Sequence, residues 1–130
     1  MAGWTDVDRD RARARSREIA EGFPGVVVEG KGEHDGYAVR RKRFAWFVVD
    51  HHGDGRLALW VKAEVGEQEA LCAEEPERFF VPPYLGPSGW VGVRLDVDVD
   101  WGEVGEMLEQ GWRLSAGVRA VRAWEASKER

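Results

Sequence analysis

Arg56-Leu57-Ala58-Leu59-Trp60-Val61-Lys62-Ala63 is the stretch on which the fold turns. In an extended chain successive side chains point to opposite sides, so Leu57, Leu59 and Val61 share one face and Ala58, Trp60 and Lys62 the other. A purely aliphatic face opposite a mixed one is the pattern of a half-buried strand. Trp90-Val91-Gly92-Val93-Arg94-Leu95 repeats it, with Val91, Val93 and Leu95 on one side and Trp90, Gly92 and Arg94 on the other. Two such strands predict a sheet whose aliphatic side is covered by helices.

Working upstream, Asp50-His51-His52-Gly53-Asp54-Gly55 is turn chemistry between two apolar runs, which predicts a hairpin with a preceding strand from about Tyr37 to Val49. Gly30, Gly32 and Gly36 punctuate a turn around Glu33-His34-Asp35, and Val26-Val27-Val28 begins an earlier β-branched strand. Thr5-Asp6-Val7-Asp8 reads as the capped start of a helix over 6–21, with Ala12, Ser16, Ile19 and Ala20 on one side. Gly22 and Pro24-Gly25 end it.

Downstream, 67–75 is a short helix stopped by Pro76, and Phe79 to Val81 a short strand cut off by Pro82-Pro83. Asp100 caps a helix that repeats Trp101, Val104, Leu108, Trp112 and Ser115 at helical steps, and Gly117 breaks it before a terminal helical extension over 117–130. The predicted order is α-β-β-β-α-β-β-α, an α+β domain with one antiparallel sheet and helices packed on one side.

A chain of 130 residues fits one domain, with a core over about 5–116. Cys72 is the only cysteine, which rules out an internal disulfide and fits a cytoplasmic setting. The longest apolar run, Phe44 to Val49, is far shorter than the ~20 residues of a membrane-spanning helix, and the charged N-terminal stretch has no signal-like apolar segment. No membrane association is expected, and a monomer is the expected state. The net charge of −5 opposes whole-surface attraction to a polyanion. Residues 1–43 nevertheless carry ten Lys/Arg against eight Asp/Glu, which leaves room for a local basic surface.

Phe44-Ala45, Leu59-Trp60-Val61-Lys62, Phe79-Phe80-Val81-Pro82-Pro83-Tyr84, Gly89-Trp90-Val91, Asp100-Trp101 and Trp112-Arg113-Leu114 occur in an order and spacing that resemble the MmcQ/YjbR family. The resemblance implies a CyaY-like arrangement, a twisted antiparallel sheet backed by helices. It also implies a functional label of DNA binding, tied to a double-wing description of the hairpins. Gly111-Trp112 departs from the family, where a small residue such as Ser is more often followed by Tyr, and this is expected to alter the packing of that helix.

The candidate binding surface is the cation run Arg40-Arg41-Lys42-Arg43, read as lying on a strand that leads into Phe44-Ala45-Trp46-Phe47, together with Trp60, Lys62, Trp90 and Arg94 on adjoining strands. Cations neutralise phosphates and flat rings stack on unpaired bases, the combination that nucleic-acid binders use. The competing reading has the cations guarding a strand edge and the tryptophans packing under a helix or loop, which leaves a protein-interaction or small-ligand module. The alternating arginines of the first helix scatter over two sectors among Asp and Glu, as on a solvated, ion-paired helix.

Catalysis is not expected. His51 and His52 sit adjacent on a hydrophilic turn and point apart. Asp96, Asp98 and Asp100 mimic the start of a calcium loop, but Trp101 stands at the turn glycine and Met107 at the closing Glu. Gly86-Pro87-Ser88-Gly89 is one residue short of a nucleophile elbow, and Gly30-Lys31-Gly32 lacks the third glycine of a phosphate loop. Acidic neighbours of Cys72 disfavour a thiolate. No cofactor or metal is implied, and the expected partners are nucleic acid or another protein.

Overall fold

The computed structural model describes residues 3–129. Thr5 caps helix α1 (Asp6–Glu21): its hydroxyl accepts from the Asp8 amide, and the Asp8 carboxylate accepts from the Thr5 amide in return. Six strands follow, β1 (Val27–Lys31), β2 (His34–Val39), β3 (Lys42–Val49), β4 (Leu57–Val61), β5 (Phe79–Phe80) and β6 (Val91–Arg94). Helix α2 (Glu67–Glu74) lies between β4 and β5, and α3 (Trp101–Ala116) and α4 (Val118–Lys128) close the chain. The strands form one sheet in the order β1-β2-β3-β4-β6-β5, every neighbouring pair antiparallel.

The alternation read from the sequence holds. Leu57, Leu59, Val61, Val91, Val93 and Leu95 all sit in the main core, where they meet Ala12 and Ala20 of α1 and Val104, Leu108 and Trp112 of α3. The small residues Ala12, Ser16 and Ala20 let α1 approach the sheet closely. Gly111 does the same for α3, since a Cβ there would press within 3.1–3.3 Å of Val61, Lys62 and Phe44. Trp112 is fully buried, and its indole N–H donates to the Pro24 carbonyl at 2.9 Å. Phe23 and Trp124 of α4 pack on its ring, so the Gly-Trp departure from the family pattern is matched by its own packing partners.

Two expectations are corrected. The strand expected over 37–49 is two strands, because Arg40 and Arg41 form a two-residue hairpin turn with φ of 53° and 64°. Positive φ at both central positions marks a type I′ turn, which ordinarily takes Asn-Gly. Here the Arg40 guanidinium donates to the Ala116 carbonyl at the C-terminal end of α3, where a cation is favoured, and lies over Gly117. The glycine-rich stretch before it is likewise a tight hairpin: only Gly32 and Glu33 form the turn, and Gly30, His34, Asp35 and Gly36 are in strands.

β3 carries a bulge. Tyr37 pairs with Ala45 but Ala38 pairs with Arg43, so Phe44 is the extra residue. Phe44 therefore joins Ala45 in the main core while Arg43 emerges on the opposite face beside Trp46. That second face, turned away from the helices, has its own small cluster of Val48, Ala58, Trp60 and Trp90, packed by Trp46, Phe80 and Leu85.

Candidate functional site: a histidine and aromatic groove

The sheet register builds the helix-free face row by row. Gly36, Trp46, Trp60, Gly92 and Phe80 lie side by side across five strands, because each is paired with the next. Both glycines in that row are spaces for a neighbour. The Phe80 ring lies where a Gly92 Cβ would be, and the Arg43 guanidinium lies where a Gly36 Cβ would be. Arg43 sits 4.1 Å over the Trp46 ring and pairs with Glu29 at 3.5 Å, and Arg56 sits 4.2 Å over Phe80.

At one end of this face the chain opens a groove of about 780 Å³. Trp46, Val48 and Trp60 line it from the sheet, Lys31, Gly32 and His34 from the β1–β2 hairpin, Asp50, His51 and His52 from the β3–β4 connection, and Tyr84 and Leu85 from the β5–β6 connection. All three histidines of the chain are among them. The His51 ring centroid is 4.1 Å from His52, 4.9 Å from Trp60 and 5.9 Å from Tyr84, the last two in edge-on contact. His34 accepts the Val49 amide on Nδ1 at 3.0 Å. Its neutral tautomer therefore carries the proton on Nε2.

The adjacent histidines do not point apart as expected. His52 has φ of 51°, a left-handed backbone that swings its ring back against His51. Asp50, His52 and Tyr84 are three of the five non-glycine residues with positive φ among the described residues, and all three line the groove. Backbone held in such sparsely populated regions clusters at ligand sites. Burial, and then the neighbouring His52, hold the His51 imidazole below its ordinary value. His51 Nε2 and Trp60 Nε1 are both shut off from solvent without a hydrogen-bond partner.

The structure brings part of the predicted surface together. Arg43, Trp60 and Arg94 belong to the helix-free face by register and Trp90 packs in its cluster, whereas Lys62 lies just past the end of β4, Arg40 is turned to the end of α3 and Lys42 pairs with Val39 on the helix side. Trp60 and Trp90 are only 6% and 7% exposed, so they are walls and packing, not a stacking platform. Arg94 is held by Asp96 in a two-pronged pair at 2.7 and 3.2 Å, and Arg43 by Glu29. Arg41 stands exposed at the turn. On α1, Arg9, Arg13, Arg15 and Arg17 are paired to acids, with Arg13 gripping the buried Asp35 through two bonds of 2.7 and 2.9 Å.

Other motifs take structural roles. Asp100 caps α3 by accepting from the Glu103 amide, and Asp96 holds Arg94. Burial and Glu69 push the Cys72 thiol above its ordinary value. Among the described residues no three His, Cys, Asp or Glu side chains meet in a way that would hold a metal ion, and no helix is long and apolar enough to cross a membrane.

The groove was missed from sequence because its walls come from four separate connections and strands. The one signal was the pair His51-His52 within a turn between apolar runs.

These features define a class: a single-sheet α+β domain with helices on one face and an aromatic groove on the other. The chain belongs to the YjbR family, whose model matches residues 18–114. Among solved structures it is similar to Deinococcus radiodurans protein DR2400, which carries a domain of the DUF419 family model. The TM-score is 0.62 at 23% identity, over 75% of this chain and 73% of that one, a likeness that bears on the fold. No curated protein matches the sequence significantly.

Proposed function

We propose that this chain is a non-catalytic binding domain whose working surface is the groove on the helix-free face, and that the groove takes a small aromatic ligand. One observation carries the reading. Three histidines, two tryptophans and a tyrosine from four parts of the chain converge on one opening, three of its residues held in left-handed backbone.

A second reading, nucleic-acid binding through Arg40, Arg41, Lys42, Arg43, Lys62 and Arg94, draws support from the exposed Arg41 and Lys42 at the β2–β3 turn. Against it stand the engagement of Arg40, Arg43 and Arg94 within the fold and the burial of Trp60 and Trp90. A nucleic-acid strand needs a cationic track and accessible rings.

The two readings separate in a pair of titrations. 1-Anilinonaphthalene-8-sulfonate, an aromatic anion, should bind saturably and lose affinity in Trp46→Ala and Leu85→Glu variants that keep their circular dichroism. Fluorescently labelled single-stranded and duplex oligonucleotides should not bind at low salt. Oligonucleotide binding that weakens steeply with salt and disappears in the Arg41→Glu/Arg43→Glu double variant would transfer the function to the cation run.

A further inference from the structure

We propose that the β2–β3 turn and the junction of α3 with α4 form an anion site for a compact, multiply charged phosphate, such as a pyrophosphate or triphosphate group. The site shares no residue with the groove and is independent of it.

Ion pairing across the molecule singles this end out. Most arginines are matched to carboxylates, as Arg13 is to Asp35, Arg94 to Asp96 and Arg113 to Glu109. Among the described residues only five arginines have no carboxylate partner, and four of them, Arg40, Arg41, Arg119 and Arg122, belong to this turn and to α4. Lys42, beside Arg41, is exposed and unpaired as well. The chain carries more acids than bases, so an end where cations gather without them keeps a positive potential against the net charge of −5.

The two elements meet at a cleft. The Arg40 guanidinium donates to the Ala116 carbonyl at 3.2 Å, which occupies one of its five N–H groups. Arg40 and Arg119 then line a space of about 450 Å³ with the small residues Ala116, Gly117, Ala120 and Ala123, and no acidic side chain lines it. Arg41 leaves the same turn as Arg40, and Arg122 stands one helical turn on from Arg119.

Arg41 supplies an independent sign. Its φ of 64° is the left-handed backbone that a type I′ turn ordinarily gives to glycine. Arg40 has the Ala116 carbonyl to offset its own positive φ, whereas the Arg41 side chain makes no hydrogen bond or ion pair among the described residues. Strain held without return inside the fold is a mark of ligand sites.

The chemistry of the cations sets the ligand. Guanidinium forks match phosphate oxygens two at a time, and several together suit a group with more than one negative charge. No aromatic side chain lines the cleft for a base to stack on, and the net negative charge repels a long polyanion, so a compact anion is favoured over a nucleic-acid strand.

Calorimetric titration of inorganic triphosphate into the full chain at low salt should give saturable one-to-one binding. Arg119→Gln should weaken it about tenfold, the loss of one charge-assisted contact, without moving the melting temperature. Arg41→Gly should weaken it while raising the melting temperature, a pairing that a merely structural turn residue would not give. Arg11→Gln, which removes the fifth unpaired arginine, on α1, should leave binding unchanged. No binding up to about 5 mM, binding indifferent to Arg119→Gln, or an Arg11→Gln loss as large as that of Arg119→Gln would each overturn the proposal. So would tighter binding of a single-stranded oligonucleotide, or of vesicles containing phosphatidylserine, than of triphosphate.

Discussion

The Arg43 guanidinium lies against Gly36, in the space where any other residue would carry its Cβ. This contact holds Arg43 between the Trp46 ring at 4.1 Å and the Glu29 carboxylate at 3.5 Å. Gly36→Ala should therefore lift the guanidinium off both partners and destabilise the fold by about 1–2 kcal/mol, within the usual range for overpacking. Urea denaturation measures it. Gly53→Ala is not a control, because Gly53 has φ of 77°; the control is Gly3→Ala, where a Cβ meets nothing.

The two arginines of the β2–β3 turn should respond in opposite directions. Arg41→Gly removes an exposed side chain from left-handed backbone and should stabilise the protein by about 1 kcal/mol. Arg40→Gly gains the same relief but loses the bond to the Ala116 carbonyl and the cation at the end of α3, so its net effect should be near zero or destabilising. Melting temperatures of the two variants decide the point.

Arg13 clamps α1 to the β1–β2 hairpin through Asp35, which is 1% exposed, and through the Gly32 carbonyl. Arg13→Ala strands a buried carboxylate and should cost about 2–3 kcal/mol, below the full cost of breaking a buried pair because the Arg13 side chain is itself about a third exposed. Arg13→Lys should recover only part of this, since an ammonium cannot make the two-pronged contact. Amide exchange in β1 and β2 should rise in step.

His51 gives the fold a pH dependence of known sign. Burial and the adjacent His52 lower its folded-state pKa below the ordinary 6.5. As pH falls, the unfolded chain takes up the proton first. Stability from this group is therefore complete above about pH 6.5, erodes as pH drops through that value, and levels off once folded His51 is also protonated. His51→Gln should flatten that part of a urea-midpoint profile measured from pH 8 to pH 5.

Much of the architecture was legible because Leu57, Leu59, Val61, Val91, Val93 and Leu95 need only the two-residue period of a strand to fall on one face. Gly117, with φ of 92°, separates α3 from α4 as its residue type suggests. The Arg40-Arg41 turn was hidden because intrinsic turn preference points elsewhere, and the contact that compensates it lies 76 positions away at Ala116. The groove was hidden for a related reason. His34 and His51 are brought together only by the pairing of β2 with β3, and Tyr84 only by a connection whose path no local pattern specifies.

The edge-on approach of His51 to Trp60, with ring centroids 4.9 Å apart, has an optical consequence. An imidazolium draws an electron from a photoexcited indole far better than the neutral ring does, so Trp60 emission is wired to the proton on its neighbour. In a chain with seven tryptophans this is a partial dimming, isolated by difference against Trp60→Phe. The protein thereby carries a built-in light-based gauge of the state of its own groove.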